Sequence, residues 1–210
     1  RAVDAVMDGM IDNAFCLIRP PGHHALPAKG MGFCLFNNIA ITARYLQKEY
    51  GLDRILVVDW DLHHGNGTQD IFYDDASVFY FSVHQYPYYP GTGADNEMGI
   101  DVGSGFTLNI PMPSLSSSED YEMVFEDILK KDALNFEPDF VLISAGFDAH
   151  EDDPLGQIKI TTEGYGRLTE IVREIADKTC DGKVVSLLEG GYNLKALSAS
   201  VVEHVGQLLA

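Results

Sequence analysis

The chain has 210 residues, 46% of them hydrophobic and 22% charged, which is the profile of one folded domain and too apolar for a disordered segment. Its 14 lysines and arginines stand against 32 aspartates and glutamates, a net charge of −18, and such a field repels nucleic-acid phosphates and anionic membranes. A metal ion, a cationic small molecule or a basic peptide suits it better, although acidity also serves solubility alone.

In chain order, the opening residues RAVDAVMDGMIDNAF carry acidic groups where a secretion signal would carry an unbroken apolar stretch. No apolar run approaches the ~20 residues of a membrane span. A first strand is predicted over 14–18 and an amphipathic helix over 36–50. Strands follow over 54–58, 77–83 and 107–110, several of them continuous β-branched or aromatic runs of the kind buried in a doubly covered parallel sheet. A helix is predicted over 118–135, with Ser117 and Ser118 as N-caps ahead of Glu119 and Glu122. Glu137-Pro138 breaks the chain before a strand over 139–144. The helix over 161–178 places Leu168, Ile171, Val172 and Ile175 on one face, and a strand over 183–188 and a helix over 193–209 complete the series. Cys16, Cys34 and Cys180 are odd in number, far apart and without a C-x-x-C pair. That argues against a cystine scaffold and a thiolate zinc site, and makes a reducing, cytoplasmic home the expectation. No repeat or linker divides the chain, so residues 1–210 are read as one domain. The alternation predicts a three-layer α/β/α sandwich with a mostly parallel sheet, in which ligands sit beyond the carboxyl ends of the strands.

The polar residues gather where that rule points. Five apolar strands run directly into CLIRPPGHH, ILVVDWDLHHGNG, VFYFSVHQ, VLISAGFDAH and VVSLLEGGY. In an extended strand end Asp59, Asp61 and His63 alternate onto one side. A lone Asp-x-His is weak, since a strand-end aspartate often only caps a helix, but Asp148 adds a third ligand from a neighbouring strand end. Two carboxylates and an imidazole leave positions open on a divalent cation, as a catalytic site requires, and would accept Zn²⁺, Fe²⁺, Co²⁺ or Mn²⁺. His23 and His24, on a Pro-Pro-Gly loop, suit general acid and base work. Tandem histidines elsewhere are often surface residues. Tyr192, after two glycines, could offer its hydroxyl to an oxyanion, although Gly-Gly-Tyr is also a common turn.

The ordered segments RPPGHHA, GFCLFNN, DWDLHHGNGTQ, PYYPGTG, SAGFDAHEDDPLG and LEGGYN resemble the metal-dependent histone deacetylase superfamily, which includes acetylpolyamine amidohydrolases and bacterial deacetylase-like amidohydrolases. The likeness runs from about Arg19 to Asn193. The Asp-Trp-Asp form, and Asn66 where class I members typically carry Asp, resemble the class II branch and its bacterial relatives. The resemblance implies the arginase/deacetylase-like fold and a zinc-dependent hydrolysis of the amide of an N-acetylated lysine, polyamine or small amine. It implies that Asp61, His63 and Asp148 hold Zn²⁺, that His24 is the general base and acid with His23 as electrostatic partner, and that Asp59 and Asn66 orient His23 and His24. By the same resemblance Tyr192 donates to the carbonyl oxygen, and Gly32, Phe33 and Tyr89 wall a narrow substrate tunnel. A structural K⁺ would be held by Asp59, Asp61, His63 and Ser82.

The chain departs from that family in length: on the order of a hundred residues usually precede the PPGHH segment, and here 22 precede His23. The expectation is an N-terminally short domain or a fragment, or a minimal variant that covers its sheet by association into a homo-oligomer. Two other readings stand beside the first. An arginase-like di-metal ureohydrolase would need further bridging Asp and His ligands, and a non-catalytic remnant would bind acyl-lysine or a cation without turnover. Elsewhere the expectations are plainer. His64 is read as buried structure, His84 and Asp95 as mouth or loop residues, His150 to Asp153 as a solvated rim, and His204 as a surface residue.

Overall fold

The structure, a computed structural model, describes residues 1–210. Six strands form one sheet: β1 (Asn13–Cys16), β2 (Ile55–Asp59), β3 (Val78–Gln85), β4 (Thr107–Met112), β5 (Phe140–Ala145) and β6 (Val184–Leu188). Their spatial order is β1-β6-β5-β2-β3-β4 and every pairing is parallel. Parallel pairs need crossovers, which the helices supply. These are α1 (Ala2–Met7), α2 (Asn38–Tyr50), α3 (Asn66–Phe72), α4 (Ser118–Val124), α5 (Lys130–Phe136), α6 (Thr162–Thr179) and α7 (Leu194–Leu208). The helix expected over 118–135 is interrupted by a π-helical turn, Phe125–Leu129, between α4 and α5. The short helices α1 and α3 add to the expected set.

Local chemistry sets the ends of these elements. The α2 N-cap is Asn37, whose side chain accepts from Ala40 N–H at 3.0 Å, and the helix stops at Gly51 in the left-handed conformation. Ser117 and Asp120 form a reciprocal capping box at the start of α4.

Strand residues alternate between two cores. Leu56, Val58, Val141 and Ile143 face the layer of α4 to α7, where Leu168, Ile171, Val172 and Ile175 of α6 pack against them. Ile55, Val57, Phe140 and Leu142 face α1 to α3, meeting Val3, Ile39, Leu46 and Phe72. Each such buried aliphatic side chain contributes about 1.5–3 kcal/mol relative to exposure, so the central strands are held from both sides. In register, Asp59 at the end of β2 lies opposite Ser82 of β3 and Ser144 of β5. The carboxyl ends of β2 and β5 thus lie within one residue of the same level, while β3 runs three residues further, to Gln85. No helix is long and apolar enough to cross a membrane.

Candidate active site

The site begins where β2 ends. Asp59 is the last strand residue and the chain then bends, yet the alternation persists: Trp60 and Leu62 enter the core while Asp61 and His63 turn to the other side. His63 Nδ1 lies 3.2 Å from Asp61 Oδ1 and 3.0 Å from Asp148 Oδ2. One ligand atom from each residue falls within 4.8 Å of the others. Main-chain groups hold the carboxylates in place. Leu62 N–H donates to Asp148 Oδ1 at 2.8 Å, Gly190 N–H to Asp61 Oδ2 at 2.8 Å, and His63 N–H to Asp61 Oδ1 at 2.9 Å.

The donor chemistry fits a divalent cation. Asp61 and Asp148 are fully buried, and two carboxylates in such a setting demand positive charge. Burial together with the charge of Asp61 raises the Asp148 pKa, while His23 and His63 overcome burial to hold that of Asp61 low. His63 is pushed up to about 11, its hydrogen bonds to Asp148 and Asp61 prevailing over burial. Donors about 2.1 Å from a tetrahedral zinc lie about 3.4 Å apart, close to these separations. A side chain at residue 190 would enter the cluster, since a Cβ there would stand 2.7 Å from Asp61 Oδ2 and closer still to Asp148 Oδ2.

The tandem histidines lie beside the cluster, both buried, with ring centroids 4.1 Å apart. His23 Nδ1 contacts Asp59 Oδ2 at 3.0 Å, and Tyr80 O–H donates to the same oxygen at 3.0 Å. Burial opposes a charge on His23, but Asp59, Asp61 and Glu189 outweigh it and carry its pKa up to about 10. His24 Nδ1 lies 2.8 Å from Asn66 Oδ1. Burial and the neighbouring His23 charge bring His24 down to about 3. The two rings are thus pushed in opposite directions, His23 towards the imidazolium and His24 towards the neutral imidazole.

Of the expected wall residues, Gly32 and Tyr89 lie against His24 and Phe33 lies near Tyr192. Gly32 takes φ +54°, and a Cβ on it would overlap the His24 ring. Phe33 and Tyr89 are exposed at the rim; the Tyr89 ring meets His24 edge-on at 5.2 Å, and Phe33 lies 6.4 Å from the Tyr192 ring. Tyr192 is held through its N–H to Asp153 Oδ2 at 2.8 Å. Burial, reinforced by Asp61 and Asp148, raises its phenol pKa, so it stays a proton donor. Ser82 is buried against His84 Nδ1 at 2.9 Å.

Several quieter expectations are corrected. His84 lines no mouth: it is buried on β3 between Ser82 Oγ and Gly93 O, and burial lowers its pKa to about 4. His204 is fully buried, its ring nitrogens 2.7 Å from Thr169 Oγ1 and 2.9 Å from Ser186 Oγ. The 150–153 rim is half solvated: Glu151 and Asp152 are exposed, but His150 and Asp153 are buried. His64 is buried as expected, between Thr92 Oγ1 at 2.8 Å and Gln69 Oε1 at 3.0 Å. Glu189 was not singled out from the sequence, although it is a buried carboxylate accepting from Gly22 and His23 N–H. Its position in a strand-to-glycine turn was the available signal.

The sequence profile of the histone deacetylase domain matches residues 1–208. The chain belongs to the histone deacetylase domain family. It is 48% identical over 189 residues to "Histone deacetylase 10, chloroplastic" of Oryza sativa subsp. japonica, covering 90% of this chain and 43% of that protein. It is 44% identical over 216 aligned residues to "Polyamine deacetylase HDAC10" of Mus musculus, covering the whole chain and 32% of the relative. The solved HDA15 HD domain superposes with a TM-score of 0.92 at 43% identity, over 99% of this chain and 59% of that one. The parallel α/β sandwich is thus the fold of the family, and the chain spans less than half the length of both curated relatives.

Proposed function

We propose that this chain carries the catalytic centre of a metal-dependent deacetylase that hydrolyses the amide of an N-acetylated amine. The observation that carries this reading is the convergence of the Asp61, His63 and Asp148 donors with two adjacent buried histidines, His23 held on Asp59 and His24 on Asn66. Asp61, His63 and Asp148 would hold Zn²⁺ or a similar divalent cation. When bound, that ion supplies Lewis acidity, polarising an amide carbonyl and lowering the pKa of water from ~15.7 towards ~7.

The rest of the chemistry belongs to the chain. The Nδ1–H of His24 donates to Asn66 Oδ1, which leaves Nε2 as a lone pair able to take a proton from water and return it to the departing amine. His23 Nδ1–H donates to Asp59 Oδ2, and the protonated ring would place positive charge beside the developing oxyanion. The Tyr192 hydroxyl donates to that oxyanion. Gly32, Phe33 and Tyr89 admit a slender acylated arm and exclude water around it. The donor set is a single cluster of three, which favours one cation over the two that a ureohydrolase needs. An inner K⁺ at Asp59, Asp61, His63 and Ser82 is carried by the family resemblance alone.

The net charge of −18 favours cationic substrates, a condition met by N-acetylated polyamines with remaining free amines and by acetyl-lysine peptides with flanking basic residues. The test is metal loading followed by parallel assays on both substrate classes, with Asp148→Ala as control. Turnover of either class that vanishes in the control supports the reading; undiminished turnover in the control overturns it.

A further inference from the structure

Glu189 is a buried carboxylate that none of the steps above uses. It follows β6, and its own N–H donates to Ala145 O at 3.0 Å, so its main chain prolongs the β5–β6 ladder. Its side chain leaves the sheet for the histidine loop. Oε2 accepts from Gly22 N–H at 2.6 Å and His23 N–H at 3.1 Å, and Oε1 accepts from Ser144 Oγ at 3.2 Å. From the opposite side His23 O accepts from Gly67 N–H at 3.0 Å and Thr68 N–H at 3.1 Å. The His23 main chain is gripped on both its donor and its acceptor. The next residue, Gly190, donates its N–H to Asp61. One dipeptide therefore ties the histidine loop to the metal-ligand cluster, across separations of 166 and 129 residues.

We propose that Glu189 is a positioning residue for the tandem histidines, its carboxylate fixing the Gly22–His23 main chain so that His23 meets Asp59 and His24 meets Asn66. Without that acceptor two buried N–H groups lose their partner, and the loop relaxes away from the sheet. A displacement of about 1 Å in a catalytic group costs on the order of 10²-fold in rate. The inference rests on the deacetylase reading for its kinetic arm and is independent of it for its structural arm.

Glu189→Met keeps the length of the side chain and removes both acceptors. Glu189→Gln keeps one oxygen for the two N–H groups and offers its amide to Ser144. The structural readout is the far-downfield proton resonance of the His23–Asp59 hydrogen bond in metal-free protein, assigned by its absence in His23→Gln. The resonance is expected in Glu189→Gln and lost in Glu189→Met. With metal-loaded protein and an acetyl-lysine peptide, kcat falls about 10²-fold in Glu189→Met, KM and metal stoichiometry stay unchanged, and Glu189→Gln recovers most of the loss. A folded Glu189→Met protein with normal kcat or an unchanged resonance overturns the proposal. So does a Glu189→Gln variant as impaired as Glu189→Met, which would make charge rather than hydrogen bonding the cause. If Glu189→Met does not fold, Glu189→Asp, one methylene short, is read against the same criteria. If the parent protein turns over no acetylated amine, the deacetylase reading fails while the resonance still decides the role of Glu189.

Discussion

His204 provides a stability test that involves no metal. Thr169 Oγ1 donates its proton to Tyr165 O at 2.7 Å, so toward His204 Nδ1, also at 2.7 Å, it accepts. Nδ1 therefore carries the imidazole proton and Nε2 accepts from Ser186 Oγ at 2.9 Å. A second proton has no place there, and burial lowers the His204 pKa from 6.5 to about 3. The unfolded chain binds that proton below pH 6.5 and the folded chain does not, so this contribution is complete above pH 6.5 and is lost progressively as the pH falls towards 3. At about 1.36 kcal/mol per pH unit, the fall from 6.5 to 5 costs about 2 kcal/mol. His204→Leu leaves Ser186 Oγ unpaired and is expected to cost about 1–3 kcal/mol at pH 7. It also escapes the acid penalty, so the gap between parent and variant should narrow by about 2 kcal/mol at pH 5. Urea unfolding of both proteins at the two pH values measures this, and every other titrating group cancels in the difference. A gap that is the same at pH 7 and pH 5 would refute the reasoning.

Three further outcomes follow from the site. Tyr192→Phe should lower kcat about 10²–10³-fold with metal content intact; equal loss of metal would remove Tyr192 from the oxyanion role. Zn²⁺ at a hundred times its Kd should stabilise the parent protein by about 2.7 kcal/mol, and thermal unfolding should show no such gain in Asp148→Ala. Glu97 accepts from Gly93 N–H at 3.0 Å and Gln69 Nε2 at 2.6 Å, anchoring the loop that carries Tyr88 and Tyr89. Glu97→Ala should loosen that wall and raise KM more than it lowers kcat, and steady-state kinetics that show the reverse would detach the loop from substrate binding.

The strands were legible because β2, β3 and β5 are buried on both faces and so read as unbroken apolar runs. Helices α1 and α3 were not, being only six and seven residues long and too short to display a periodic face. The metal cluster was visible because Asp61 and His63 sit two apart and Asp148 follows an evident strand. His204 was misread because a histidine counts as polar in any helical pattern. Its partners Thr169 and Ser186 lie on a different helix and strand, and nothing local to α7 announces them. His84 failed in the same way: Ser82 two residues earlier satisfies Nδ1, while Nε2 is satisfied by the carbonyl of Gly93 in a separate loop. Glu189 was hidden by its neighbours, since the following glycines and Tyr192 attracted the chemical reading. In each case the missing information was a partner distant in sequence, which composition and spacing do not carry.

The placement of β6 between β5 and β1 bears on how the molecule comes together. β1 meets β6 through Asn13 opposite Val184, so the sheet closes only when regions near both ends of the described chain are drawn side by side. Pairings of such long range carry a large loop-closure cost and form slowly. The histidine loop follows β1, Glu189 and Gly190 follow β6, and the ligand aspartates come from the strands between. No contiguous half of the chain holds the histidines, the ligands and Tyr192 together. The ligands themselves follow β2 and β5, which are neighbours in the sheet, so during refolding the capture of a cation would serve as a chemical clock for the pairing of those two central strands rather than for closure at β1.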